Sequence, residues 1–137
     1  HDDGSLQILA VEHYLRRMLC FRGSGAKSLG AGVTKTIALL PHDGQGEPMM
    51  NLLTWYSGEG WTLLLFPRAL QRPWQYFAED EKKIVVSPAA VELGGVVILP
   101  RNEDFLKITP ADLVSVFDQV TLPAEEFCAL ISRLKQF

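Results

Sequence analysis

Cysteine is scarce in this sequence, and clustered metal ligands are missing. The 137 residues include two cysteines, Cys20 and Cys128, which lie far apart in two segments with helical apolar patterns. Two separate thiols favour small core residues in a reducing compartment over a disulfide framework. There is no Cys-x-x-Cys pair and no Cys/His cluster, so we expect neither a metal site nor a bound cofactor.

Long apolar runs and basic excess are missing as well. No stretch approaches the ~20 apolar residues that cross a membrane, and no secretion signal is recognisable, so we expect a cytoplasmic protein without membrane contact. The net charge of −3 and the scattered basic residues argue against a nucleic-acid partner. The 47% hydrophobic content excludes intrinsic disorder. Because the chain begins at His1 and not at Met, we expect a piece of a longer protein.

The patterns that are present predict one α+β domain over residues 1–137. Its antiparallel sheet has a central hairpin and is packed by an N-terminal helix and two C-terminal helices. Apolar residues at helical spacing predict the first helix over residues 5–22. Strands are predicted at residues 33–40, 84–86 and 91–99. Thr109 followed by Pro110 predicts the start of one C-terminal helix, and Pro123 begins the other.

The hairpin has the clearest local signal. Two apolar, aromatic-rich segments, residues 49–56 and 61–66, are separated by a four-residue connection that contains two glycines. This spacing is typical of antiparallel strands joined by a short turn. Trp55, Tyr56 and Trp61 are expected to cluster beside that turn as cross-strand neighbours.

A glycine-rich stretch, residues 23–32, contains Lys27 and raises the question of a phosphate-binding loop. The P-loop motif needs glycine immediately before the lysine and another five positions earlier, where this sequence has Ala26 and Phe21. The stretch is also predicted to follow a helix, whereas a P-loop follows a strand. A flexible connection is therefore the favoured interpretation.

Few residues carry the pattern of a reactive group. No Gly-x-Ser-x-Gly motif is present, and neither cysteine lies beside an activating loop, so we assign no catalytic residue. His42, beside Asp43 in a glycine-rich loop, is the best candidate for acid–base chemistry or ligand contact; the alternative is an exposed turn histidine. Arg68 and Arg72 fit a phosphate or carboxylate site next to aromatic residues, with solvated loop residues as the equal alternative.

Part of the chain resembles a known family. The pattern Asn51-Leu52-Leu53-Thr54, the strand ending Pro67-Arg68, and the run Leu93-Gly94-Gly95-Val96 are similar to the C-terminal portion of diadenosine tetraphosphate phosphorylases (ATP adenylyltransferases) and of GDP-hexose phosphorylases. The likeness covers roughly residues 48–120 and implies a histidine-triad-like fold with an antiparallel sheet. It also implies that Asn51 and Arg68 face a nucleotide or sugar phosphate.

The resembled enzymes use a nucleotidyl-histidine from a His-x-His-x-His/Gln motif, which this sequence lacks. The chain would thus supply the non-nucleophile part of a nucleotidyltransferase or phosphorylase, with an upstream domain or a second copy as partner. Two other functions stay open. One is a non-catalytic interaction module that uses the aromatic hairpin tip, and the other is a small-molecule sensor with an enclosed apolar pocket.

Overall fold

The computed structural model describes residues 5–11, 14–42 and 46–136 of the chain. In these ranges a four-stranded antiparallel sheet is packed by helices, which confirms the predicted α+β class. The elements in chain order are β1 Leu6–Val11, β2 Met18–Gly23, α1 Ala26–Ile37, β3 Met50–Tyr56, β4 Trp61–Pro67, α2 Trp74–Phe77, α3 Ala90–Gly94, α4 Asn102–Lys107, α5 Pro110–Val120 and α6 Ala124–Leu134. None of the helices in the described part is long and apolar enough to cross a membrane.

The strand order is β1-β2-β4-β3, and every neighbouring pair is antiparallel. The predicted hairpin is confirmed as β3 and β4, whose register runs from Met50 opposite Pro67 to Tyr56 opposite Trp61. The Tyr56 and Trp61 rings lie 5.3 Å apart between centroids, as expected for cross-strand aromatics. Trp55 is opposite Thr62 and projects from the other sheet face, so the prediction that it joins this cluster is wrong. The hairpin therefore forms one half of the sheet, and its turn lies at one sheet end.

Both sheet faces contribute to the core, but to different extents. One face is covered by α1 and α6 and contains the larger cluster of buried side chains: Leu19, Phe21, Leu29, Val33, Leu40, Leu63, Leu65, Leu122, Phe127 and Leu130. On the other face, α3 and α5 cover only the end that is distant from the hairpin turn, where Phe66 meets Leu93, Phe117 and Val120. We call this second surface the half-covered face. Its free end is where the candidate site lies.

The N-terminal helix predicted over residues 5–22 is wrong. The segment forms β1 and β2 instead, with Leu6 opposite Gly23 and Val11 opposite Met18. The physical reason lies in β2, where Leu19, Cys20 and Phe21 are all buried because the strand is covered on both faces. Such a strand gives a continuous apolar run that periodicity does not distinguish from a buried helix.

The strand predicted at residues 33–40 is also wrong, because residues 26–37 form α1. Leu29, Val33 and Thr36 recur at helical spacing and are buried against the sheet. The glycines and the β-branched residues in this segment hid that periodicity. Gly32 permits close packing against β1, since a methyl group there would lie 2.2 Å from Leu6 Cδ2.

Two further corrections concern the cysteines and the segment after β4. Cys20 lies in a strand and is buried, whereas Cys128 lies in α6 and is exposed, so only one thiol is a core residue. Residues 91–99 do not form a strand: the first part is α3, and the rest is irregular. Residues 84–86 are buried in part without forming a strand. Both predicted C-terminal helices are confirmed as α5 and α6, and Thr109 caps α5 by accepting a hydrogen bond from the Asp112 amide.

Candidate functional site

An open cleft of about 770 Å³ lies at the end of the sheet that carries the hairpin turn. It is bordered by the start of β1, the end of β2 and the turn between β3 and β4. The lining residues are Ser5, Leu6, Gln7, Arg22, Gly23, Ser24, Trp55, Ser57, Glu59, Gly60, Trp61 and Thr62. Most of these side chains are polar or aromatic, which distinguishes the cleft from the apolar grooves elsewhere on the described surface.

One row of side chains crosses the free end of the half-covered face beside this cleft. Gln7 is opposite Arg22, Arg22 is opposite Thr62, and Thr62 is opposite Trp55. Side chains of directly opposed residues project from the same face of a sheet. Because neighbouring strands lie ~4.8 Å apart, the backbones of Arg22 and Trp55 are separated by about 10 Å. We call Gln7, Arg22, Thr62 and Trp55 the sheet-end row.

The polar groups of the sheet-end row are available to a ligand. Within the described residues, none of its four side chains makes a hydrogen bond or an ion pair. Arg22 is exposed, and Trp55 is 46% exposed. A free guanidinium binds phosphate or carboxylate oxygens, and an exposed indole stacks on planar rings. The same cleft also contains the carboxylate of Glu59.

The glycine-rich connection next to the row has an arrangement that the sequence did not predict. Gly23 ends β2, and Gly25 is the N-cap of α1, so the connection follows a strand and opens a helix. The N-cap Gly25 has no side chain with which to cap this helix start, and no acidic residue lies in its first turn. The N-terminal end of a helix carries partial positive charge. The P-loop motif is still absent, because Ala26 and Phe21 occupy its glycine positions.

The predicted contacts Asn51 and Arg68 lie together, at the opposite end of the β3–β4 pair from the cleft. Arg68 Nη1 donates to Asn51 Oδ1 at 2.6 Å. The remaining donors of the guanidinium bind three backbone carbonyl oxygens, those of Leu70, Gln71 and Pro88. All five N–H groups of Arg68 therefore have acceptors within the protein. Burial lowers the pKa of this guanidinium, and the nearby Glu92 carboxylate opposes that effect.

The other two predicted contacts are exposed and lie outside the cleft. Arg72 Cζ lies 4.1 Å from the centroid of the Tyr76 ring, and its Nε donates to Ser87 Oγ at 3.4 Å. His42 is exposed in the loop that follows α1. Its neighbour Asp43 lies outside the described residues, so the predicted His42–Asp43 pairing stays a prediction. Of the four predicted residues, the structure brings only Asn51 and Arg68 into contact.

The sequence does not predict the sheet-end row. The pattern over residues 5–22 predicts a helix that ends at Arg22, which is wrong, and Thr62 falls within the predicted apolar strand over residues 61–66. A signal was available: both are polar residues that follow or interrupt apolar runs, as a strand with one partly open face requires. No three His, Cys, Asp or Glu side chains are grouped for metal binding among the residues that the structure describes.

Comparison with known proteins gives one match. The family model described as "GDPGP1-like, C-terminal domain" matches residues 1–136, almost the whole chain. Searches of the curated proteins and of the solved structures found no match. The family match agrees with the GDP-hexose phosphorylase part of the resemblance drawn from Asn51-Leu52-Leu53-Thr54 and Pro67-Arg68. It extends that resemblance from residues 48–120 to nearly all of the sequence.

Proposed function

Because this chain belongs to the family of GDPGP1-like C-terminal domains, we propose that it gives a phosphorylase-related protein a surface that binds a nucleotide or sugar nucleotide. The sheet-end row is the observation that carries this proposal. It combines an exposed guanidinium, which has no partner among the described residues, with an exposed indole on one sheet face. These two groups match the two chemical ends of a nucleotide, the anionic phosphate and the aromatic base.

The geometry suggests a role for each member of the row. Arg22 would bind a phosphate group, and the uncapped start of α1 near Ser24 would add favourable partial charge. Trp55 would stack on the base. Thr62 lies between them on the central strand β4, so its hydroxyl would face the sugar. Gln7 lies beyond Arg22 on β1, so its amide would be next to the phosphate group.

Catalysis would require a nucleophile from another part of the protein. The sequence contains no His-x-His-x-His/Gln motif, and the described residues that line the cleft include no histidine or cysteine. We therefore assign this domain a binding role in the phosphorylase-related protein. In this scheme the contact between Asn51 and Arg68 holds the distant ends of β3 and β4, and these two residues, Arg72 and His42 stay candidate ligand contacts outside the cleft.

Binding measurements on matched variants test the site. Isothermal titration calorimetry with GDP, ADP, ATP and a GDP-sugar would be performed on the wild type, Arg22→Gln, Trp55→Ala and two control variants. Arg22→Gln should weaken binding roughly 10- to 100-fold, since it removes a charge-assisted hydrogen bond worth ~1.5–3 kcal/mol. Trp55→Ala should weaken it by a similar factor, because stacking contributes ~1–3 kcal/mol per base.

The controls separate this site from others. Lys82→Gln removes an exposed charge in a distant loop and should leave affinity unchanged. Arg72→Gln removes the exposed guanidinium that stacks on Tyr76. If Arg72→Gln abolishes binding while Arg22→Gln has no effect, the ligand lies at Arg72 and the cleft assignment is wrong. If the wild type binds none of the nucleotides at millimolar concentration, the proposed binding role of this domain is rejected.

Exposed aromatic residues favour a second candidate function, a protein-interaction module. Tyr56 is 56% exposed and Trp55 is 46% exposed, both on β3, which is an edge strand of the sheet. Exposed aromatics are enriched at binding hot spots. Gel filtration over a concentration series, with Tyr56→Ser as the variant, tests this function. Self-association that Tyr56→Ser abolishes, together with absent nucleotide binding, would favour the interaction module.

A further inference from the structure

Arg16, in the connection between β1 and β2, is a buried cation with no anionic partner among the described residues. The residue as a whole is 6% exposed. The guanidinium Cζ lies 4.2 Å from the centroid of the Phe117 ring and 5.2 Å from that of Tyr14. Nη1 donates to the Tyr14 hydroxyl at 2.7 Å. Nε is buried and has no hydrogen-bond acceptor. Every other buried side-chain nitrogen or oxygen in the described part has a hydrogen-bond partner.

Two other arginines donate hydrogen bonds to acceptors within the protein. Arg17, the next residue, is more exposed and yet has an ion pair with Asp118 at 2.7 Å and a hydrogen bond to the Leu122 carbonyl. Arg68 is buried to a similar extent as Arg16, and all five of its donors have oxygen acceptors. Arg16 thus differs from both in having unused donors at a buried position.

The buried guanidinium of Arg16 lowers the stability of the folded state unless an acceptor binds its unused N–H groups. A buried charge without a counter-ion is costly, because water no longer solvates it. The two aromatic rings offset part of that cost through cation–π contacts. Only one N–H group, on Nη1, has an acceptor, the Tyr14 hydroxyl, and the N–H group of Nε has none among the described residues. A planar fork of N–H donors binds the oxygens of a carboxylate or a phosphate.

We propose that Arg16 is the centre of a second binding site, which takes a single oxyanion of the carboxylate or phosphate type. The Phe117 and Tyr14 rings form its apolar walls. The N–H groups of Nε and Nη2 donate hydrogen bonds to the bound anion. Tyr14, which is 46% exposed, lies between this site and the solvent. The site is separate from the cleft, since Arg16 precedes β2 and Arg22 lies near the other end of that strand, and Met18 to Arg22 alone span about 13 Å. It does not depend on the proposed nucleotide function.

Ligand-dependent stability tests this site. Thermal unfolding of the chain would be followed in sodium phosphate and in sodium acetate, with sodium chloride at matched ionic strength as the reference. An anion that binds only the folded state raises Tm by mass action, by roughly 5–10 °C when its concentration is about 100 times Kd. The rise should occur in Arg22→Gln, which lacks the proposed phosphate contact of the cleft, and be absent when Arg16→Met is added to it. Adding Arg17→Met, at the adjacent and already paired arginine, to Arg22→Gln should leave the rise in place.

The two salts identify the ligand chemistry: a response to phosphate alone indicates a phosphate group, and a response to acetate indicates a carboxylate. A second measurement does not depend on the folding of Arg16→Met. In ¹⁵N–¹H spectra of the wild type, the Arg16 Nε–H signal should shift on titration with the active anion. The proposal is overturned if neither anion raises the Tm of Arg22→Gln, if the double variant Arg22→Gln/Arg16→Met keeps the response, or if the Nε–H signal does not move.

One further variant addresses a carboxylate from the same chain. Glu12 is close in sequence and lies outside the described residues. If Glu12→Gln shifts the Arg16 Nε–H signal and creates an anion response that the wild type lacks, the Glu12 carboxylate is the native partner, and the proposal of an external oxyanion fails. An unchanged signal and response in Glu12→Gln supports the external ligand.

Discussion

Arg68 Nη1 donates to Asn51 Oδ1 at 2.6 Å, so the two residues selected as ligand contacts by family resemblance bind each other. Asn51 lies in β3, and Arg68 follows the end of β4. The same guanidinium joins the turn at Leu70 and Gln71 to the Pro88 carbonyl that precedes α3. A pattern that resembles a family motif therefore has a local structural role here, in holding three segments together at one end of the hairpin.

The Asn51–Arg68 contact predicts strong energetic coupling. Arg68→Met should lower the free energy of unfolding by about 2–4 kcal/mol, because it leaves several buried carbonyl groups without donors. Asn51→Ala should lower it by about 1–2 kcal/mol. The double variant should be less destabilised than the sum, with a coupling energy of about 0.5–3 kcal/mol. Urea unfolding of all four proteins measures this cycle.

Arg72→Met is the control for that cycle, because Arg72 is exposed and has one long hydrogen bond. Its effect should stay below about 0.5 kcal/mol. Additive effects of Asn51→Ala and Arg68→Met would show that the short contact contributes little to stability. They would also leave Arg68 free to be interpreted as a ligand contact.

The accuracy of the sequence-based predictions depended on how local each signal was. The β3–β4 hairpin was predicted correctly because Gly58 and Gly60 mark its turn, and α5 because Thr109 and Pro110 mark its start. These signals depend on neighbouring residues only. The apolar segment that forms β2 has no such signal, since its conformation is decided by strands that pair with it from elsewhere in the chain.

The candidate site was missed for the same reason. Arg22 and Trp55 share a sheet face only because β2 and β3 both flank β4 in register. Sequence spacing does not contain that information until the strand order is known. The family resemblance selected Asn51 and Arg68 from short motifs, and a motif does not show whether its polar groups already have partners inside the protein.

A second prediction concerns Asp104, a fully buried carboxylate at the start of α4. It accepts hydrogen bonds from Arg101 Nε at 2.8 Å, Arg101 Nη2 at 2.7 Å and the Val85 amide at 2.8 Å. The hydrogen bonds from Arg101 are the main reason that the pKa of Asp104 is lowered from 3.8 to about 2. The ionised form is thus favoured in the folded state, and Asp104→Asn should lower the free energy of unfolding at pH 7 by about 1–3 kcal/mol.

The pH dependence of this effect follows from the direction of the shift. A group whose folded pKa is lowered contributes its full stability above the unfolded pKa, 3.8 here, and loses it as pH falls towards about 2. Urea unfolding of the wild type and Asp104→Asn at pH 7, 5 and 3 should therefore show a difference that is constant between pH 7 and 5 and smaller at pH 3. A difference that is unchanged at pH 3 would contradict the assignment.

A third prediction distinguishes the two thiols. Cys128 is exposed on α6, and Cys20 is buried in β2 at 7% exposure. A thiol-reactive dye should label one cysteine quickly in the native protein and the second only on unfolding, since a buried thiol is protected. Mass spectrometry should place the fast label on Cys128, and Cys128→Ser should remove it. Fast labelling of Cys20 would show that β2 is accessible and that the sheet is not formed as described.

The last prediction contrasts two glycines. Gly60, in the hairpin turn, has φ of +155°, and a methyl group added to it would lie 2.8 Å from the Gly23 carbonyl oxygen. Gly30, in α1, has nothing within 4 Å of the corresponding position. Gly60→Ala should be destabilising by about 1–3 kcal/mol, because both the conformation and the close approach of two backbones exclude a side chain. Gly30→Ala should be stabilising by about 0.5–1 kcal/mol through helix propensity.

The glycine pair also tests the cleft, because Gly60 and Gly23 both line it. If the hairpin turn and the end of β2 shape the binding surface, Gly60→Ala should weaken nucleotide binding in addition to lowering stability, whereas Gly30→Ala should leave binding unchanged. Urea unfolding and calorimetric titration on the same two variants measure both effects. Destabilisation by Gly30→Ala would contradict the helical assignment of residues 26–37, on which the strand–loop–helix geometry beside Arg22 depends.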